Sequence, residues 1–125
     1  MKIYMAAKFS RRKELELLSE LLKDVGHVCN ARWVFGGEEG LSSEQIADVD
    51  VNDVIDADAI MCFTHERGTP QPGGGRHVEF GIALSRGKRL ILVGPRENVF
   101  HHYPGVEVYE SVSDFIQAER DWNMK

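Results

Sequence analysis

The sequence predicts an α/β domain: an open, mostly parallel sheet of about five strands with helices on both faces. Three observations carry that expectation. Short apolar runs alternate with amphipathic helical segments, and the connections are long enough for crossovers between parallel strands. Residues 57–64 are nearly all apolar, as a strand covered on both faces must be. At 125 residues, with no linker, repeat or low-complexity tract, the chain reads as one domain over 1–125 with enough length for a real core.

The elements follow in order. Residues 2–7 open as an apolar strand. Ser10 is a candidate cap for a helix running to about residue 24 and stopping at Gly26. Its inward stripe is Leu15, Leu18 and Leu22, widened by Leu17 and Leu21. Residues 27–35 alternate enough to be a second strand, and residues 36–40 form a glycine-rich loop. Ser42 and Gln45 resemble a capping box that opens a helix to about residue 55. The buried strand over 57–64 is followed by the loop Gly68-Thr69-Pro70-Gln71-Pro72-Gly73-Gly74-Gly75 and then by a helix ending near Gly87. Residues 88–94 read as a fourth buried strand and 106–109 as a short last one. Ser111 or Ser113 caps a terminal helix whose inward face includes Phe115, Ile116 and Trp122.

Composition excludes several functions. The formal net charge is −5 and no Lys/Arg-rich block occurs, so there is no electrostatic footprint for polymeric nucleic acid or for an anionic membrane. Any nucleic-acid connection would run through small nucleotides. Without a signal peptide or a long apolar stretch, a cytoplasmic location is expected, with Cys29 and Cys62 as reduced, buried small hydrophobes. The five histidines show no metal-ligand spacing, so neither a metal nor another cofactor is expected.

In an open parallel sheet, ligands bind at the carboxyl ends of the strands, where the strand order reverses. Residues 7–10, 65–75 and 94–98 fall on that edge, and Glu79 lies beside them within the apolar run Val78-Glu79-Phe80-Gly81-Ile82-Ala83-Leu84. In the first turn of a helix Glu79 could simply complement the dipole, or it could be aimed at whatever the free N–H groups hold. The loop is either a flexible connection or an anion-binding nest, for it matches neither the Walker nor the dinucleotide glycine pattern. Lys8, Arg11 and Arg76 place three cations where a phosphate could be held.

Three phrases together resemble the nucleoside 2-deoxyribosyltransferase family, which includes 2′-deoxynucleoside 5′-phosphate N-hydrolases. They are Ile3-Tyr4-Met5-Ala6-Ala7-Lys8-Phe9, the stretch from Asp50 to Ile60, and Gly75-Arg76-His77-Val78-Glu79-Phe80-Gly81-Ile82-Ala83-Leu84 followed by Gly87-Lys88-Arg89-Leu90-Ile91-Leu92. The resemblance spans almost the whole chain in the right order. It implies a flavodoxin-like doubly wound sheet and a homo-oligomer with shared active sites. The substrate it implies is a small deoxynucleoside or deoxynucleotide.

By the same resemblance Glu79 matches the nucleophile, and Asp50 matches an aspartate placed at the reacting sugar and leaving base. Tyr4, Ala6, Ala7, Lys8 and Phe9 match the segment lining the nucleoside pocket. Gly73, Gly74, Gly75, Arg76 and Arg11 would serve the 5′ end of the substrate, and Asn98 falls in a loop that relatives extend into the adjacent subunit. Two carboxylates suit N-glycosidic cleavage: one captures the oxocarbenium-like carbon, and the other protonates or holds the departing base. One departure is plain. The Asp-x-Gly phrase by which the transferases grip the sugar hydroxyls is replaced by Glu66-Arg67-Gly68-Thr69 and a longer Pro/Gly-rich stretch, which favours a nucleotide over a free nucleoside. A non-catalytic nucleotide-binding module on the same fold is the alternative.

Overall fold

A computed structural model describes residues 1–64 and 74–124. Five strands form one sheet: β1 (Lys2–Ala6), β2 (Val28–Cys29), β3 (Ala59–Phe63), β4 (Arg89–Val93) and β5 (Glu107–Tyr109). All neighbours run parallel, in the order β2-β1-β3-β4-β5. This is the flavodoxin-like order, and its switch point lies between β1 and β3. The helices are α1 (Arg12–Lys23), α2 (Ser43–Asp56), α3 (Gly75–Ser85) and α4 (Val112–Asn123); α1 packs with α4 and α2 with α3. Every residue of β3 is buried, as its uninterrupted apolar run requires, and β3 with β1 and β4 forms the centre of the core.

Several boundaries differ from expectation, each for a local reason. The strand expected over 27–35 is two residues long, and residues 32–35 form a 3-10 turn. Asp53 on α2 accepts the Arg32 backbone N–H at 3.0 Å and grips its guanidinium at 2.8 Å, so that N–H is lost to the ladder. Trp33 turns inward and donates its indole N–H to Met5 O at 2.9 Å. Ser10 does not cap α1: a 3-10 turn over Phe9–Arg11 runs directly into it. The Ser42–Gln45 capping box is present in both directions, and Ser111 rather than Ser113 caps α4.

Two expected core positions are exposed. Leu17 sits outside the α1 stripe, where Leu15 and Leu22 are buried and Leu18 and Leu21 partly so. On α4 the buried face is Val112, Phe115, Ile116 and Glu119, while Trp122 is 71% exposed. Glu119 takes the inward place because it is satisfied there, by His27 at 2.9 Å and Arg89 at 2.7 Å. Trp122 continues the stripe over a shallow cleft shared with Met1, His27 and Arg89.

The carboxyl ends of β3 and β4 approach closely. Gly94, with φ +117°, follows β4, and a Cβ there would lie 2.5 Å from Thr64 Oγ1 and 3.1 Å from Thr64 O. Thr64 donates its hydroxyl to Pro95 O at 2.6 Å, which fixes the two chain exits together. Gly94→Ala is therefore expected to cost about 2 kcal/mol from the left-handed backbone alone, with steric repulsion added. Urea unfolding checks this; an unchanged midpoint would contradict it.

Candidate active site

At the carboxyl ends of β1 and β3 lies a cavity of about 990 Å³. Its walls come from the turn after β1, the loop after the 3-10 turn at 32–35, α2 and α3. Of the residues expected at the site, Ala7, Lys8, Phe9, Asp50, Gly75, Arg76 and Glu79 line it. Tyr4 and Ala6 are fully buried in β1, behind the wall rather than in it. Gly74 caps α3, and Gly73 lies outside the described residues.

Glu79 is not in the first turn of its helix. The helix begins at Gly75 and its first turn contains no acid, so Glu79 stands in the second turn, where dipole complementation has largely faded. Its position is set instead by Tyr4, whose hydroxyl donates a hydrogen bond to Glu79 Oε2. Burial pushes the Glu79 carboxyl up to about 7; the Tyr4 bond pulls it back down, and the nearby Asp50 charge raises it further. Tyr4 is itself driven far above the ordinary phenol range, first by burial and then by Glu79, so it stays a donor.

A second acidic group, missed by sequence reasoning, faces the same space. Glu38 comes from the turn Gly36-Gly37-Glu38-Glu39-Gly40, whose first and last glycines have φ +77° and +82°. Only glycine adopts both readily, and Glu38 in the resulting turn lines the cavity. Its carboxyl hydrogen-bonds that of Asp50. Burial, and next the Asp50 bond and charge, push Glu38 up to about 8; Asp50 is raised by burial and held back by Glu38 and then by Arg32. In sequence nothing separated Glu38 from Glu39, since both sit between glycines without periodicity. Among the described residues no group of three His, Cys, Asp or Glu side chains is arranged to hold a metal ion.

The three cations do not converge as expected. Arg76 lines the cavity, but its side chain is only 4% exposed and is engaged by Glu97 at 3.1 Å. Arg11 is not a lining residue; it chelates Glu14 at 2.6 Å and stacks on Phe63 at 5.3 Å. Lys8 lines the cavity, as does Arg12, which was not anticipated. Arg12 is tied to Val34 O at 3.0 Å and to Glu16 at 3.1 Å. Asn98 caps the 3-10 turn over Val99–His102, accepting from Phe100 N–H at 2.9 Å, and is not part of the lining.

The rest of the cavity is apolar. Phe9 and Trp33 lie with ring centroids 6.4 Å apart, and Ile46, Val51, Val78 and Ile82 complete the walls. Phe9 is 73% exposed at the cavity rim. No helix among the described residues is long and apolar enough to cross a membrane.

No protein-family model matches the chain, and no curated protein sequence does. Solved structures do. The CMP N-glycosidase BcmB of Clostridium botulinum is similar with a TM-score of 0.66 at 20% identity, covering 100% of each chain. A 2-desoxiribosyltransferase from Leishmania mexicana is similar with a TM-score of 0.69 at 16% identity, covering 95% of this chain and 97% of that one. At these identities the likeness establishes that this chain shares, end to end, the fold of these two proteins.

Proposed function

We propose that this protein is an enzyme that cleaves the N-glycosidic bond of a 2′-deoxynucleoside 5′-monophosphate, or of the nucleoside itself, through a covalent glycosyl–Glu79 intermediate. One observation carries the reading: the half-buried Glu79 carboxyl lines a roomy cavity and accepts the Tyr4 hydroxyl, and the carboxyls of Glu38 and Asp50 line the same cavity. The two similar structures, one an N-glycosidase and the other a desoxiribosyltransferase, support this class of chemistry.

The proposed reaction has two steps. As the bond to the base stretches, positive charge develops at the anomeric carbon and Glu79 stabilises and then captures it. Tyr4 holds one carboxylate oxygen, so the carboxylate enters the reaction already oriented. Phe9 and Trp33 offer a face for the base, and Asp50 meets it at the leaving side. Water then displaces Glu79 in a hydrolase, or a second base does so in a transferase. The working enzyme is taken to be a homo-oligomer with shared sites, an expectation supported by the exposed Val99, Phe100 and Tyr103 beside Asn98.

The phosphate preference now rests on Lys8 and on the start of α3, because Arg76 and Arg11 are already engaged. A Cβ at Gly74 or Gly75 would touch nothing within 4 Å among the described residues, so their packing does not demand these glycines. A close-approaching phosphate would. Chromatographic assay of base release from matched deoxynucleosides and monophosphates, with and without a second free base, tests the reading. Faster turnover of the monophosphate is expected, and Lys8→Ala should raise its KM about tenfold while leaving that of the nucleoside unchanged. Equal rates for the pair would sink the phosphate assignment, and ligand binding without base release would replace the enzyme by a binding module.

A further inference from the structure

Resting on the reading above, the cavity contains one acidic side chain more than a nucleophile and a single acid require. Glu38 and Asp50 reach the cavity from two separate elements, a glycine turn and α2, and their carboxyls meet. Two carboxylates cannot hydrogen-bond each other unless one holds a proton. Glu38 Oε2 and Asp50 Oδ1 are both shielded from solvent, and neither has a hydrogen-bond donor among the described residues. A proton held between the two carboxyls satisfies both atoms.

We propose that Glu38 and Asp50 form a carboxylic acid–carboxylate pair that protonates the leaving base, with Glu38 carrying the proton and Asp50 aiming it. The charges around the pair decide which member is the acid. Glu38 faces Asp50, Glu79 and Asp53, all negative, whereas Asp50 faces Arg32 as well as Asp53 and Glu38. Arg32 stabilises the charge on Asp50, and the proton stays with Glu38.

The step balances. The C1′–N bond breaks with its electron pair going to the base while a Glu79 oxygen bonds C1′, and the Glu38 proton passes to the base. Water then attacks C1′, the Glu79 ester oxygen leaves with its electrons, and the water's proton returns to the pair. Base and free sugar are the products, and the enzyme ends in its starting state.

The test compares a deoxynucleoside monophosphate with 4-nitrophenyl 2-deoxyribofuranoside, whose nitrophenolate departs without a proton. Glu38→Gln is expected to slow base release by about 10²-fold or more and to erase the basic limb of its pH profile, while slowing nitrophenolate release far less. Carboxyl ¹³C NMR gives a readout independent of turnover. A carboxyl titrating near pH 8 is expected in the wild type, absent in Glu38→Gln and lowered part of the way toward the ordinary range in Asp50→Asn, where burial still acts on Glu38. Equal slowing on both substrates, a retained basic limb, or no carboxyl titrating above its ordinary range would overturn the pair. Wild-type protein that releases neither base nor nitrophenolate would instead overturn the proposed function, and this inference with it.

Discussion

Replacing Glu79 with glutamine is expected to abolish base release while making the fold more stable above neutral pH. Burial is the largest influence on this carboxyl, and it lifts the group from 4.5 to about 7. The sign follows from the two end states. With a folded-state value above the unfolded one, the group contributes stability that is fully present below about 4.5 and lost as pH rises through about 7. A shift of that size corresponds to about 3 kcal/mol, and partial exposure reduces it to ~1–2 kcal/mol. Glutamine removes the charge, keeps the shape and still accepts the Tyr4 hydroxyl. Urea unfolding should therefore show the variant gaining stability at about pH 8 and gaining none at about pH 4. A loss at the higher pH would make Glu79 a structural anchor. Base release should fall by about 10⁴-fold or more, the scale on which covalent nucleophiles act.

The second large effect is on the pH profile and its dependence on Tyr4. Glu79 must be ionised to attack and Glu38 protonated to donate, so base release rises through about pH 7 and falls through about pH 8. The resulting bell is narrow. Tyr4→Phe removes the one bond that favours the Glu79 carboxylate and leaves burial unopposed. The acid limb then moves to higher pH and overlaps the basic limb, so that kcat falls by about tenfold or more across the whole range. Because phenylalanine fills the same fully buried space, stability should fall only by about 1 kcal/mol. An acid limb that stays in place would show that Tyr4 does not set the Glu79 proton.

The fold was legible because its evidence is periodic. The apolar run at β3, the α1 stripe around Leu15 and Leu22, and the Ser42–Gln45 box are local patterns, and local patterns survive folding. What failed was decided by distant partners. Asp53 ended the second strand by taking the Arg32 N–H from twenty-one residues away, and the buried pairing of Glu119 with His27 and Arg89 filled the place expected for Trp122. Electrostatic pairing misled in the same way. Arg76 looked like a surface cation at a helix start, and its engagement by Glu97 is visible only in three dimensions.

The site was legible in part. Glu79 stood out as a charge in an apolar helix, and Asp50 was selected among five neighbouring aspartates by a family-like spacing alone. Glu38 carried no such signal, because a glutamate between glycines is ordinary in a loop. Its significance comes from two left-handed glycines that turn it toward α2.

The central claim is that Glu79 becomes covalently bound to the sugar. Rapid acid quench of the wild-type protein during turnover of a deoxynucleoside monophosphate, followed by intact-mass and peptide mapping, tests it directly. The expected result is one sugar phosphate added per chain, on the peptide containing Glu79, and no addition to Glu79→Gln. Base release at an undiminished rate by Glu79→Gln, or a sugar adduct on any other residue, would contradict it.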